Sequence, residues 1–367
     1  MSNAKKINNV CVVQNSVRTL WNFRSKYITE IINRGCTVYC LAPMDDQLAA
    51  DNLTALGVSV ITVKSRNLVL NAISMNCRMI LLLFKLRFRC LVIAHFVSTI
   101  ALLFPSLLFS SKTICFIEGL GTFLMKGRTR QKVFKVLLRS VSDLTIFMNR
   151  DEKGILGRPS DIVLNGIGVD LDVFSPVKPS SEDTKTDHEE KPIKLLFVGR
   201  LIEDKGIRES IAVVQEVAKS HKVEMHIIGD IYNGNPNSLS DADLQNYKNE
   251  HPNILFFHGY KENLVEFYRN SDWLVFLSRH EGFPVSVMEA NACGLPAITF
   301  DVRGCRDAIK EGQNGFLVEL GNIETVVRII DEVNSESLKA GARTHAVNNF
   351  DYKEKVNTIL DNVEKYL

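Results

Sequence analysis

The division of this 367-residue chain follows from one stretch, PVKPSSEDTKTDHEEKPIKLLFVGRLIEDKG, at residues 176–206. Residues 176–192 are polar, carry three prolines and leave almost nothing to bury, which predicts a linker. An apolar run of strand length, Ile193–Val198, begins directly after it. The stretch therefore separates two folded regions, and the chain length supports two domains at roughly 150 residues each.

Apolar β-like runs alternate with longer helical patterns on both sides of the linker. Before it, the strand candidates are Ile7–Val13, Thr37–Ala42, Val58–Val63, Leu91–Ala94, Thr113–Ile117, Leu144–Met148 and Asp161–Leu164. After it, they are Ile193–Val198, Val223–Ile228, Ile254–Phe257, Trp273–Leu277, Ala297–Phe300 and Gly315–Val318. Helical patterns include Arg24–Arg34, Asp46–Leu56 and Lys205–Ser220. The alternation predicts an α/β chain of two Rossmann-like domains with parallel sheets, and ligand binding in a cleft outside the carboxyl ends of the strands.

The predicted domains are residues 1–175 and 193–345, with residues 346–367 as a C-terminal helix that packs back on the first domain. Residues 1–175 hold 22 Lys and Arg against 11 Asp and Glu, whereas the rest of the chain holds 22 against 31. The opposite signs indicate that the two halves meet different partners. Apolar residues at 46% and charged residues at 23% exclude a disordered, collagen-like or disulfide-scaffold chain.

The eight cysteines predict a reducing compartment. Most lie in apolar runs, no CxxC pair occurs, and no histidine stands at metal-ligand spacing from a cysteine pair. We therefore expect small buried side chains and no zinc site. The N-terminal MSNAKKINNV lacks the apolar core of a signal peptide, which favours the cytoplasm.

The basic half is expected to contact a membrane surface. Residues 90–111 carry no charge and are long enough to span a bilayer, but the short run before His95 and the stretch with Pro105 favour a buried strand and a core helix. Asn71–Arg89 and Arg128–Arg139 mix basic with apolar residues, as helices lying on an anionic bilayer do. The alternatives are helices with a solvated basic face, and nucleic-acid binding, for which no motif is found.

Several common cofactor and hydrolase motifs are absent. The first strand runs into QNSVRTLWNF, residues 14–23, without any glycine, which argues against a nicotinamide-dependent oxidoreductase. Neither a GxxxxGK[ST] phosphate-binding loop nor a GxSxG nucleophile elbow occurs.

One loop of the second half is suited to a diphosphate. VGRLIEDKG, residues 198–206, allows a tight turn at Gly199 and places Arg200 and Lys205 beside a helix start. Two cations near helix amides form an anion site. Two surface cations on a turn are the alternative.

A second segment, HEGFPVSVMEANACGLPAI at residues 280–298, carries two acids with seven residues between them. Glu281 lies on the loop at a strand's carboxyl end, and Pro284 is placed to start a helix. Glu289 follows within an otherwise apolar helix, where a carboxylate needs a polar partner such as paired ribose hydroxyls. The alternative is a helix acid with an exposed side chain.

These two segments closely resemble the retaining glycosyltransferases of family 4, which have the GT-B fold. Further matches in the family's order are NGIGVDLDVFSP (165–176), Phe257–Gly259, SDWLVFLS (271–278), DVRGCRDAI (301–309) and NGFLV (314–318). FRSKYITEIINRGCTVYCLAP, residues 23–43, resembles bacterial members that build O-antigen and capsule repeat units.

The resemblance implies a role for each matching position. Arg200 and Lys205 would hold the donor diphosphate and stabilise the leaving nucleoside diphosphate. Glu289 would accept the ribose hydroxyls, and Glu281 would orient the donor sugar. The remaining donor contacts that it implies are Gly199, the backbone of His258 and Gly259 at the base, and the amides of Gly282, Phe283, Pro284 and Val285 at the sugar or phosphate. No metal or other cofactor is implied.

The chain departs from the family's pattern at two places. The glycine-rich turn after the first strand is missing, and Glu118 in IEGLG stands where many relatives have a histidine. Glu118 is a candidate to take the acceptor's proton or to bind a sugar hydroxyl, and capping of backbone amides is the alternative. Arg24 is a second acceptor candidate, and Arg303 a further one.

The sequence thus predicts a retaining hexosyl- or N-acetylhexosaminyltransferase that uses a nucleotide-sugar, with UDP favoured by resemblance. The predicted acceptor is a polyprenyl-diphosphate-linked saccharide of surface polysaccharide synthesis, at the cytoplasmic membrane face. The alternatives are a nucleotide-sugar epimerase of the same architecture, and a catalytically silent member of a polysaccharide assembly complex.

Overall fold

The computed structural model describes residues 7–64, 68–110, 112–125, 127–176, 191–232 and 234–367. The chain divides into two compact units. The first runs to Ile167 and includes Glu354–Leu367, and the second is Gly168–Lys353. Most of the predicted linker, residues 177–190, lies outside the described residues.

The first unit is built on a parallel sheet of seven strands in the order β3-β2-β1-β4-β5-β6-β7. Every strand predicted in this half is confirmed, with ends shifted by at most two residues. The strands are β1 Asn9–Val13, β2 Thr37–Pro43, β3 Ser59–Val63, β4 Leu91–His95, β5 Lys112–Ile117, β6 Leu144–Phe147 and β7 Ile162–Val163.

Helices connect these strands, as a parallel sheet requires. They are α1 Val17–Asn33, α2 Gln47–Ala55, α3 Leu68–Lys85, α4 Val97–Leu107, α5 Gly121–Met125, α6 Arg128–Val141 and α7 Arg150–Leu156. The predicted start of the first helix at Arg24 was wrong. Ser16 caps α1 by accepting a hydrogen bond from the Thr19 amide, so the helix begins at Val17.

The uncharged segment from Cys90 folds as a strand and a helix of the core. All five residues of β4 are buried, which is typical of a strand covered on both faces. Leu103 and Leu107 of α4 belong to the same apolar core. No helix among the described residues is long and apolar enough to cross a membrane.

The second unit repeats the architecture with six parallel strands in the order β10-β9-β8-β11-β12-β13. All six predicted runs are confirmed. They are β8 Ile193–Val198, β9 Val223–Ile228, β10 Leu255–Phe257, β11 Trp273–Phe276, β12 Ala297–Phe300 and β13 Gly315–Val318. The helices are α8 Ile207–Val217, α9 Asp241–Glu250, α10 Val265–Arg269, α11 Val285–Ala292, α12 Ile323–Glu332, α13 Glu336–Asn349 and α14 Tyr352–Glu364, the last falling with the first unit from Glu354 onward.

The predicted helix start at Lys205 was also wrong. Lys205 ends a short 3-10 turn, Glu203–Lys205, and α8 begins only at Ile207. Gly206 between them has φ +76°, and a Cβ there would stand 2.0 Å from the Leu277 carbonyl oxygen. Only glycine allows this left-handed turn at such close approach, and the turn fixes Lys205 over the end of β11.

Candidate active site

The predicted donor residues lie along the carboxyl edge of the second unit's sheet. Gly199 and Arg200 follow β8, His258 and Gly259 follow β10, and Glu281 follows β11. Open parallel sheets bind their ligands at this edge, next to the point where the strand order reverses. That reversal lies between β8 and β11 here, so the cations and the first acid flank it.

Lys205 and Glu281 form an ion pair across the edge. The Lys205 Nζ to Glu281 Oε1 distance is 2.5 Å, and the two side chains are 18% and 10% exposed. The loop after β12 supports this arrangement, because the Glu281 amide donates to the Arg303 carbonyl over 3.2 Å. Gly304, at φ +79°, lets that loop approach, since a Cβ there would stand 2.5 Å from the Glu281 carbonyl oxygen.

Arg200 is the exposed cation of the set. Its guanidinium lies 4.9 Å from the ring centroid of Tyr232, in the loop after β9. A cation stacked on an aromatic face is held in place while its N–H groups stay available to a ligand. Tyr232 was not singled out in the sequence, since only the folded loop brings it to Arg200.

Glu289 has a hydrogen-bond partner in the protein, and the alternative of a helix acid with an exposed side chain was wrong. The Tyr268 hydroxyl donates to Glu289 Oε2 over 2.7 Å. Burial raises the pKa of Glu289 to about 7, against a smaller lowering by the Tyr268 hydrogen bond. Tyr268 itself is buried, and burial raises its pKa well above the usual value. The other carboxylate oxygen, Oε1, is left for a ligand.

The start of α11 presents backbone amides next to Glu281. Gly282 and Phe283 lead into Pro284, which is the N-cap residue, so the helix begins at Val285 as expected. The prediction of a Pro284 amide was wrong, because proline has no N–H. The amides of the first helical turn, beginning with Val285, remain as an anion-attracting group. The Phe283 side chain packs on Phe350 instead, at 5.8 Å between ring centroids.

His258 joins a ring cluster rather than standing alone. Its Nε2 lies 2.9 Å from Nδ1 of His226, and burial lowers the pKa of both rings. The His258 amide donates to the Ile227 carbonyl, and the Gly259 carbonyl accepts from Gly229. Those bonds do not use the His258 carbonyl or the Gly259 amide, which are therefore the two backbone groups available to hydrogen-bond a nucleobase.

His226 also lines a cavity of about 280 Å³ whose lining residues come from β8, β9, α10 and the residues after α10. None of the cavity's other lining residues belongs to the predicted set. They are Lys194, Glu266, Phe267, Asn270 and Ser271.

The acceptor candidates Arg24 and Glu118 pair with each other in the first unit. The Arg24 guanidinium donates to Glu118 Oε2, and His95 Nδ1 lies 2.7 Å from Glu118 Oε1. The alternative of a carboxylate that only caps backbone amides is therefore wrong. Gln14 and Tyr27 join the same network, and sequence reasoning missed both.

The predicted membrane-facing helices expose apolar and basic side chains together. Ile73, Leu81 and Phe84 of α3 are exposed, and so are Val133 and Val136 of α6. α3 packs against α4 and α4 against α6, so these side chains belong to one layer of helices. The exposed basic residues of the same segments are Arg78, Lys85, Arg87, Arg89, Arg128, Arg130, Lys132 and Arg139.

Six of the eight cysteines are buried, as expected, whereas Cys36 is partly exposed and Cys77 is exposed. Within the part of the chain that the structure describes, no group of three or more His, Cys, Asp and Glu side chains is placed to hold a metal ion.

Residues 180–349 match the family described as glycosyl transferases group 1. The capsular polysaccharide biosynthesis glycosyltransferase CapM of Staphylococcus aureus is 33% identical over 160 residues, which are 41% of each chain. The N,N'-diacetylbacillosaminyl-diphospho-undecaprenol alpha-1,3-N-acetylgalactosaminyltransferase of Campylobacter jejuni is 25% identical over 325 residues, 83% of each chain.

The fold has close neighbours among solved structures. Anabaena Alr3699/HepE in complex with UDP matches with a TM-score of 0.74 and 16% identity, over 98% of this chain and 100% of that one. This likeness confirms the predicted architecture of two Rossmann-like domains.

Proposed function

We propose that this chain, which has the GT-B fold and matches glycosyl transferases group 1 over residues 180–349, is a retaining glycosyltransferase. The donor is a UDP-sugar, and the acceptor is a polyprenyl-diphosphate-linked saccharide of capsule or O-antigen synthesis. The names of the relatives from S. aureus and C. jejuni support this choice of pathway and acceptor. The Anabaena structure, which holds UDP, supports the nucleotide.

One observation carries the proposal: Arg200, Lys205 and Glu281 lie at the carboxyl edge of one sheet, and Glu289 lies in α11, the helix that begins just after Glu281. Arg200 and Lys205 hold the diphosphate together with the first amides of α11. Glu289 Oε1 accepts the ribose hydroxyls, and Glu281 accepts hydroxyls of the sugar. The fixed cations and amides neutralise the charge that develops on the departing UDP, so that we expect transfer without a divalent metal.

The transfer retains the anomeric configuration. The acceptor oxygen forms its bond to the anomeric carbon on the face from which the phosphate oxygen departs. The acceptor's hydroxyl proton passes to that phosphate oxygen, which leaves as UDP. No protein base is needed, and the Lys205–Glu281 pair keeps the Lys205 ammonium at the diphosphate and Glu281 at the sugar.

The acceptor's lipid is expected to stay in the cytoplasmic leaflet while α3 and α6 rest on the bilayer. The exposed apolar side chains of these helices would enter the headgroup region, and each cation near an anionic surface adds about 1 kcal/mol. Peripheral binding at the inner face of the cytoplasmic membrane is thus part of the proposal.

A thermal-shift panel of UDP, GDP and their sugar conjugates in excess EDTA tests the donor. A ligand at about 100 times its Kd adds roughly 2.7 kcal/mol to the free energy of unfolding. We expect a UDP-selective shift. A GDP-selective shift would overturn the nucleotide, and no shift at all would favour the catalytically silent partner. Release of free sugar and UDP without acceptor would favour the epimerase.

A further inference from the structure

A chain of hydrogen bonds runs through buried side chains at the carboxyl edge of the first unit's sheet. The Tyr27 hydroxyl lies 2.7 Å from Nε2 of His95, at the end of β4. His95 Nδ1 lies 2.7 Å from Glu118 Oε1, just after β5, and Arg24 donates to the other Glu118 oxygen. Arg24 Nε also donates to Oε1 of Gln14, just after β1, over 3.3 Å.

The proton positions in this network follow from its charges. Burial alone would raise the pKa of Glu118, but the Arg24 charge and His95 hold it below the usual value, so the carboxylate is ionised and can only accept. Burial lowers the pKa of His95 to about 4, so its ring is neutral. Nδ1 therefore carries the proton donated to Glu118, and Nε2 accepts from Tyr27.

Glu118 is the member of this network that a ligand can reach. Its side chain is 9% exposed, against 4% for Arg24 and 0% for His95. Each carboxylate oxygen has a further lone pair after its bond to His95 or Arg24. The buried Gln14 Nε2 has no hydrogen-bond partner, so the network also holds an amide group whose N–H donors are unused.

We propose that this edge binds the acceptor's sugar through its hydroxyl groups, with Glu118 as a fixed hydrogen-bond acceptor and Arg24 and His95 as its positioning residues. The acceptor's diphosphate binds elsewhere. An anion here would meet the ionised Glu118 before Arg24, because Arg24 is the less exposed partner of this pair, whereas Lys205 is the more exposed partner of its pair with Glu281. Arg24 thus acts through Glu118 and is not itself a diphosphate ligand.

The same geometry assigns Glu118 a binding role rather than that of a base. A carboxylate whose two oxygens hold N–H groups, and whose ionised form is favoured, is a weak proton acceptor. This inference rests on the proposed function for the identity of the sugar as an acceptor.

Saturation-transfer NMR on the full chain tests the site without requiring turnover. The probes are the methyl α-glycosides of glucose, galactose, N-acetylglucosamine and N-acetylgalactosamine, and 31P line broadening follows inorganic pyrophosphate. We expect at least one glycoside to bind the wild type and to lose about tenfold to a hundredfold in affinity in Glu118→Gln. Pyrophosphate binding should not change. The control is Glu364→Gln, which removes the carboxylate of the exposed Arg34–Glu364 pair in the same unit.

Three results would overturn the proposal. One is that the wild type binds no glycoside, another is that Glu118→Gln binds glycosides as tightly as the wild type does, and the third is that the wild type itself binds pyrophosphate at Arg24. Tyr27→Phe serves if Glu118→Gln does not fold. It removes only the hydroxyl behind His95, and we expect a loss of a few-fold in glycoside affinity. Unchanged affinity in a folded Tyr27→Phe would remove Tyr27 and His95 from the positioning role. Failure of the proposed function shows separately, as glycoside binding without transfer from any nucleotide-sugar.

Discussion

Replacing Glu289 by glutamine should stabilise the ligand-free protein and weaken its donor binding at the same time. Glutamine has nearly the same shape and keeps an oxygen for the Tyr268 hydroxyl, which lies 2.7 Å from Glu289 Oε2. It cannot ionise. The two effects have different pH dependences, and this makes the variant a sharp test of the site.

The effect on stability follows from the pKa of Glu289, which burial raises from 4.5 to about 7. Between these values the unfolded chain loses the proton and the folded chain keeps it, so the free energy of unfolding falls as the pH rises. Each unit of difference between the two pKa values is worth about 1.4 kcal/mol, which gives a penalty of roughly 3 kcal/mol above pH 8. Glu289→Gln escapes it and should be that much more stable at pH 8.5, but equal to the wild type near pH 4.5.

The effect on binding has the opposite sign. Ribose hydroxyls lose a charged acceptor worth about 1.5–3 kcal/mol, so the Kd for UDP should rise about tenfold to a hundredfold. Urea unfolding at the two pH values and calorimetric titration with UDP at pH 8.5 measure both effects. Glu262→Gln, at an exposed acid in a loop of the same unit, is the control. Equal stability at both pH values, or unchanged UDP affinity, would refute the reasoning.

Three further variants test neighbouring contacts. Tyr268→Phe removes the hydrogen bond that lowers the pKa of Glu289, so this pKa should rise. UDP affinity should then fall most near pH 7 and recover by about pH 9. Calorimetric titrations across this range would contradict the assignment if the loss of affinity were the same at every pH. Lys205→Met leaves the Glu281 carboxylate without its cation and the diphosphate without a fixed charge, so we expect kcat to fall at least about a hundredfold. An unchanged kcat would exclude Lys205 from the site. Neutralising three exposed basic residues of α6 together, Arg128, Arg130 and Lys132, should release the chain from anionic vesicles in a flotation assay. Retention on the vesicles would point to α3 as the membrane contact instead.

Local sequence patterns were sufficient to predict the strands. Each buried parallel strand is a short apolar run bounded by polar or glycine-containing turns, so Ile193–Val198 and Val223–Ile228 could be placed to the residue. The same patterns placed Glu281 in the loop after β11 and Glu289 in the helix that follows it, as the structure has them.

Partners from distant parts of the chain could not be predicted in this way. Tyr268 of α10 contacts Glu289 of α11 only in the folded second unit. His95 contacts Glu118 because β4 and β5 pair in the sheet of the first unit. The 3-10 turn at Lys205 has the same origin, since the approach of Gly206 to Leu277 depends on tertiary packing. Sequence reasoning therefore named the charged candidate residues but not the side chains that contact them.

Transfer in excess EDTA, with NMR assignment of the product's anomeric configuration, tests the central claim most directly. The reaction contains the full chain, a panel of UDP-sugars and a short-chain prenyl-diphosphate-linked N-acetylglucosamine. The account predicts transfer from one UDP-sugar at an unreduced rate, with the donor's α configuration retained in the glycoside. Inversion, or a rate that returns only when a divalent metal is added back, would contradict the roles given to Arg200, Lys205 and the departing diphosphate.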